Sequence, residues 1–244
     1  MKIIDLIAEK QEDIIQNKHS QKIPTIAFLG DSVTQGVFEL PLKRGGGFET
    51  VYDTENVYHR YVGKLLALLY PNVPLNIINA GIGGNNTRHA VARLERDVLS
   101  YHPDLTVVCF GLNDCHWGLE KMELYINNLD TIFQKLIETG SEVIFMTPNM
   151  MNTYMDGRLL SDELQHVAKK CMHLQNSGVL KTYLENAKQI AQKHGVKVCD
   201  VYAKWERMQK CKVNTTNLLS NYINHPVRPL HMLFAISLIE TMMQ

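Results

Sequence analysis

Four short stretches of the chain gather residue types that can carry out acyl transfer. Residues 30–32 are Gly30, Asp31 and Ser32; 79–87 read NAGIGGNNT, 111–114 read GLND, and 224–231 read NHPVRPLH. A serine hydroxyl becomes a nucleophile when a base within hydrogen-bond reach takes its proton, and His225 is the candidate base. The oxygen of a tetrahedral intermediate needs fixed N–H donors. A glycine amide from 79–87 and the side-chain amide of Asn113 are donors of the right kind. Glycine suits that place because no side chain blocks close approach and a left-handed backbone turns its amide inward.

Other chemistries fit these residues less well. The run GIGGNN is not GxGxxG, no P-loop lysine follows it, and asparagine flanks it, so a nucleotide site is disfavoured. GDSVT is not the GxSxG elbow, which sets aside the α/β-hydrolase fold. Asp31 and Asp114 come without HxxxH or a cluster of acids, and read as structural carboxylates that bind loop backbones rather than a metal. His231 reads as a packed or capping residue of the last helix, and His89, His102, His116 and His166 as surface or loop residues. The five cysteines, Cys109, Cys115, Cys171, Cys199 and Cys211, are odd in number and never spaced CxxC, as expected of reduced thiols rather than disulfides or a zinc site.

These stretches follow elements that would position them. Five apolar, β-branched-rich runs at 24–29, 75–79, 104–110, 142–147 and 196–200 read as strands buried on both faces of a parallel sheet. Helical periods lie between them at 57–70 (with Val62, Leu65, Leu66 and Leu69 on one face), 87–99, 121–138 and 181–194, the last ending on Gly195 as a C-cap, with a final helix near 229–243. Alternation of strand and helix predicts a doubly wound α/β sheet. The first three candidate stretches each follow a strand, and NHPVRPLH leads into the last helix. That gathers them on the rim where open α/β sheets bind ligands. Residues 1–244 are expected to form a single domain, with an amphipathic helix over 1–20, a flexible loop at 41–56 and a long excursion over 149–180.

Taken in order, GDSV, GIGGNNT, GLND and NHP resemble the motifs of the SGNH (GDSL-type) hydrolases, a family of esterases and lipases. The resemblance spans nearly the whole chain. It implies a three-layer α/β/α sandwich around a flavodoxin-like, five-stranded parallel sheet. It also implies that Ser32 is the nucleophile and that its own amide, Gly84 N–H and the Asn113 side chain form the oxyanion hole, with His225 as base. One position departs from the family pattern. The aspartate usual three residues before the histidine is Tyr222 here. The orienting acceptor for His225 is then expected to be a main-chain carbonyl of the 220–224 turn, with the Asn221 side chain as second choice. A carboxylate such as Asp200 would instead make a displaced triad.

The balance of 25 basic against 25 acidic residues gives no field favouring nucleic acid or an anionic membrane. No run approaches the roughly 18 apolar residues of a membrane span, and the N-terminus does not read as a signal peptide. The expectation is a cytoplasmic, cofactor-free and metal-free serine hydrolase acting through an acyl-enzyme on a small-molecule ester, most simply an acetyl ester of a carbohydrate or polyol. Two alternatives stand beside it. One is a lipase or thioesterase for which 149–180 forms an apolar wall or lid, and the other a non-catalytic binding protein on the same fold.

Overall fold

The computed structural model describes residues 2–244. Its centre is a sheet of five parallel strands, β1 (Thr25–Gly30), β2 (Asn76–Gly81), β3 (Leu105–Cys109), β4 (Glu142–Met146) and β5 (Lys197–Cys199), in the order β2-β1-β3-β4-β5. This is the flavodoxin-like order, whose direction of winding reverses between β1 and β3. Gly30 at the end of β1 is level with Gly81 of β2 and Cys109 of β3, so three strands finish together at that reversal. Every residue of β3 is buried, as a central strand covered on both faces requires.

Helices cover both faces and make the expected three layers. The elements are α1 (Ile3–Ile15), α2 (Ser32–Gln35), α3 (Tyr58–Leu69), α4 (Thr87–Asp97), α5 (Met122–Glu138), α6 (Asp162–Asn176), α7 (Val179–Lys193), α8 (Val201–Lys210) and α9 (His231–Met242). One layer contains α3, α8 and α9; the other contains α4, α5, α6 and α7. The buried residues form one continuous cluster that includes both layers and the sheet. Among the described residues, no helix is long and apolar enough to cross a membrane.

Three details differ from the sequence reading. The buried face of α3 is Tyr58, His59, Val62 and Leu66, whereas Leu69 is exposed. Most of the 149–180 excursion is helix: Ser161 caps α6 by accepting the Leu164 N–H, and acidic Asp162 and Glu163 occupy its first turn. Asp200 likewise caps α8, a helix that no period in the sequence singled out, by accepting the Ala203 N–H. The C-terminus of α7 is as expected, with Gly195 just beyond it at φ 68°.

Candidate active site

Ser32 is the first residue of α2, directly after β1, and its side of the sheet is the reversal point. The Asp31 carboxylate accepts the Val33 N–H at 3.0 Å and fixes the turn from strand into helix. The turn is tight because α2 lies on the end of β2. A methyl group at Gly81 would sit 2.3 Å from the Gln35 nitrogen, so no other residue fits there. Ser32 is held 2.9 Å from His225 Nε2 through its Oγ. The opposite ring nitrogen, Nδ1, lies 3.1 Å from the Phe38 carbonyl oxygen. A carbonyl can only accept, so Nδ1 carries the proton and Nε2 presents its lone pair to the serine hydroxyl.

The acceptor behind His225 is therefore a main-chain carbonyl, but it comes from Phe38 and not from the 220–224 turn. Asn221 serves the backbone instead: its Oδ1 accepts the N–H groups of Ile223, Asn224 and His225, each at 3.0 Å. Those three bonds shape the turn that carries the base. They leave the side-chain oxygen committed away from the ring. Asn149 supports the same turn by donating to the Asn224 carbonyl at 2.8 Å. Tyr222 takes a left-handed backbone (φ 57°), and its ring lies under the Arg158 guanidinium at 3.9 Å. Asp200 binds Thr147, Lys188 and the α8 cap, so it is no displaced triad acid.

The second and third stretches sit alongside. Gln35 Oε1 accepts the Gly83 N–H at 2.6 Å, and a methyl at Gly83 would lie 3.9 Å from Ser32 Cβ, which sets this loop against the serine. Gly84 follows with φ 72°, a left-handed conformation that favours glycine. Asn113 Nδ2 donates to the Asn85 carbonyl at 2.7 Å, linking the loops after β2 and β3. An amide group has two N–H donors, and this bond uses one. Asp114 anchors the arrangement from below, accepting the Thr87 N–H and hydroxyl and the Gly111 N–H.

Two residues here carry no sequence motif. Arg93, buried on α4, donates to the carbonyls of Gly30 and Ala80 and to Asn85 Oδ1, so one guanidinium ties two strand ends to the glycine loop. Its only sequence signal is an arginine on the apolar face of α4, at three- and one-residue offsets from buried Ala90 and Leu94. Arg228, three residues after His225, pairs with Glu39 and Asp53.

Burial dominates the electrostatics. It pushes the His225 imidazole down to about 4, although the Phe38 carbonyl and the Glu39 charge pull upward. The ring is thus neutral well below pH 7. Burial also raises Asp31 to about 7, with the nearby Asp114 charge adding to it, and raises Asp114 to about 6. His231 is a packed residue, as its position suggested; its Nδ1 accepts the Tyr58 N–H at 3.2 Å and its ring stacks near Phe234. His116 is no surface residue: it is half-buried, 3.7 Å from Cys171 Sγ, and burial lowers it to about 4. Among the described residues, no group of three or more His, Cys, Asp or Glu is placed to hold a metal ion. A groove of about 440 Å³ lies beside the turn that carries His225, lined by Leu40, Leu42, Leu159, Leu160, Leu164 and Tyr222.

The sequence pattern of the GDSL-like lipase/acylhydrolase family matches residues 28–228. An acetylxylan esterase of Geobacillus stearothermophilus is 29% identical over 170 residues, covering 62% of this chain and 73% of the relative. An arylesterase of Vibrio mimicus is 24% identical over 169 residues, covering 68% and 74%. The crystal structure of an acetylxylan esterase from Geobacillus stearothermophilus superposes with a TM-score of 0.65 at 23% identity, covering 91% of this chain and 96% of that one. Catalytic mutants of that enzyme have been solved with a serine, an aspartate or a histidine replaced. With the matched pattern running from β1 through the base-bearing turn, the chain belongs to the GDSL-like lipase/acylhydrolase family of ester-hydrolysing serine hydrolases.

Proposed function

We propose that the protein is an esterase that removes small acyl groups, foremost acetyl, from a carbohydrate or polyol through a Ser32–His225 dyad. The observation that carries this reading is the relay from Ser32 Oγ to His225 Nε2 at 2.9 Å and from His225 Nδ1 to the Phe38 carbonyl at 3.1 Å. Ser32 Oγ attacks the ester carbonyl as His225 Nε2 takes its proton, and the oxyanion is received by the amides of Ser32 and Gly84 and the free N–H of Asn113. His225 then protonates the leaving alcohol. Water, deprotonated by the same nitrogen, attacks the acyl-serine and releases the acid. The acetylated-carbohydrate substrate class is supported by the acetylxylan esterase relative.

A fluorophosphonate probe tests the mechanism. Its phosphorus should bond to Ser32 Oγ with loss of fluoride, labelling the native protein but not Ser32→Ala. The alanine variant should lose nearly all turnover on p-nitrophenyl acetate, because loss of a triad nucleophile costs roughly 10⁶ in a well-studied protease. An unlabelled native protein would favour the binding-protein alternative.

The apolar groove favours a second reading, a preference for longer acyl chains, since Leu159, Leu160 and Leu164 of the 149–180 segment form one wall of it. A series of p-nitrophenyl esters separates the two: kcat/KM falling from acetate to octanoate supports the deacetylase, and rising supports the lipase or thioesterase.

A further inference from the structure

We infer that Arg228 is a positioning residue of the dyad, holding the Phe38 carbonyl at the back of His225 in place of a triad carboxylate. The inference rests on the Ser32–His225 reading above. A carboxylate orients a histidine with charge and with either of two oxygens. A carbonyl offers one neutral acceptor on a fixed peptide, so it orients the ring only where the backbone bearing it is immobile.

Phe38 is buried, with its ring 4.9 Å from that of His231. Its N–H donates to the Val51 carbonyl and the Val51 N–H donates to the Glu39 carbonyl, both at 3.0 Å, while the Asp53 N–H donates to the Gly36 carbonyl at 2.8 Å. These bonds form a narrow antiparallel pairing of 36–39 with 51–53. The loop that joins its two sides contains Gly45, Gly46 and Gly47, all exposed and at positive φ. Beyond residue 39 the hairpin continues through the Glu49 N–H to the Pro41 carbonyl and the Lys43 N–H to the Gly47 carbonyl, so it is held along its length, and Arg228 adds the link to the segment that carries His225.

Arg228 makes that link. Its Nε donates to Asp53 Oδ2 at 2.6 Å on one side of the pairing. Its two terminal nitrogens donate to both Glu39 oxygens on the other side, the longer bond at 3.1 Å. The guanidinium plane also covers the Phe38 ring, 4.3 Å from its centre. One side chain thus grips residues 38, 39 and 53 at once. It stands three residues after His225 on the same segment, so it fixes the imidazole and its acceptor relative to each other. Half-exposed ion pairs of this kind add little to global stability, which leaves geometry as the property they control.

The experiment compares Arg228→Met, Arg228→Lys and Glu39→Gln with the native protein on p-nitrophenyl acetate. Alongside kcat and KM, the downfield proton resonance of His225 Nδ1–H is followed in protein carrying isotope-labelled histidine. Arg228→Met is expected to lower kcat by about 10- to 100-fold, the scale of a displaced catalytic group, with KM within about twofold. The Nδ1–H resonance should broaden into solvent exchange. Arg228→Lys keeps a cation but loses the fork, and should fall between native and methionine variants. Should Arg228→Met fail to fold, Glu39→Gln releases the same clamp from its other end and is read in the same way. A kcat within twofold of native with an unchanged Nδ1–H resonance overturns the inference. His225→Ala, run in parallel, separates the two levels: if it retains activity, the dyad itself is wrong, and if it is inactive while Arg228→Met is native-like, only the clamp is wrong.

Discussion

Lowering the pH tests the base more directly than any substitution. Burial holds the His225 imidazole at about 4 against an ordinary 6.5, and the partial compensation from Phe38 and Glu39 does not restore it. The gap between those values corresponds to about 3 kcal/mol of preference for the neutral ring. At pH 5 a group titrating near 4 is about nine-tenths neutral, whereas one at 6.5 would be only about 3% neutral, a difference of roughly 30-fold in competent enzyme. The sign follows: a depressed base stays active as pH falls through 6.5 and is lost only near its own pKa. The assay is kcat/KM on p-nitrophenyl acetate from pH 3.5 to 8, with nitrophenol release read at a wavelength insensitive to its ionisation. Samples held at each pH and returned to pH 7 exclude irreversible unfolding. An acid limb with its midpoint near 4 to 5 is expected. A midpoint at 6.5 would refute the claim that the buried ring controls the limb.

Three further outcomes are expected. Asn113→Ala should lower kcat by about 10²–10³ with KM nearly unchanged if, as proposed, its second N–H serves the oxyanion; steady-state kinetics on the folded variant checks this. Tyr222→Phe should leave kcat within a few fold, because the tyrosine ring contacts Arg158 and not the imidazole. Stability should fall with acid. Burial lowers His59, His116 and His225 to about 4 and His231 to about 3, so the unfolded chain binds their protons first, and stability drains away from pH 6.5 down to those values. Asp31 and Asp114, raised to about 7 and 6, return stability over part of that range, but four groups outweigh two. Calorimetry should find Tm lower at pH 4.5 than at pH 7 by on the order of 10 °C, and a rise would contradict the assignment.

Strands β1, β3 and β4 were legible because burial on both faces demands unbroken apolar runs, whereas the edge strands β2 and β5, expected to be buried likewise, are partly exposed and were legible only from their β-branched residues; the sheet followed from the alternation of strands with helices. The stretches holding Ser32, Gly84, Asn113 and His225 stood out because each lies just after a strand or ahead of a helix, where glycine, asparagine and proline are conspicuous; their shared role is the proposal made above. What supports them did not stand out. Arg93 and Gln35 act by reaching carbonyls and amides of other loops, and no local pattern marks a residue for that. The Phe38 carbonyl is a stricter case: every residue has a carbonyl, so its role is visible only once residues 38 and 225 are neighbours. Helix α8 escaped because only Val201, Tyr202 and Trp205 are buried along it, too few for a period to stand out against its charged residues.

The two bonds at His225 have sequence separations of 193 and 187 residues. Joining such distant points means closing nearly the whole chain, and the entropy of that closure is offset by the contacts of the C-terminal segment, chiefly those of α9 on α3. A nascent or refolding chain can assemble β1 through β4 and place Ser32, Gly84 and Asn113 on their rim while the base is still absent. On the proposed dyad, esterase turnover is in this sense a reporter of completed folding: a chain ending before residue 225 would hold all five strands and lack the base.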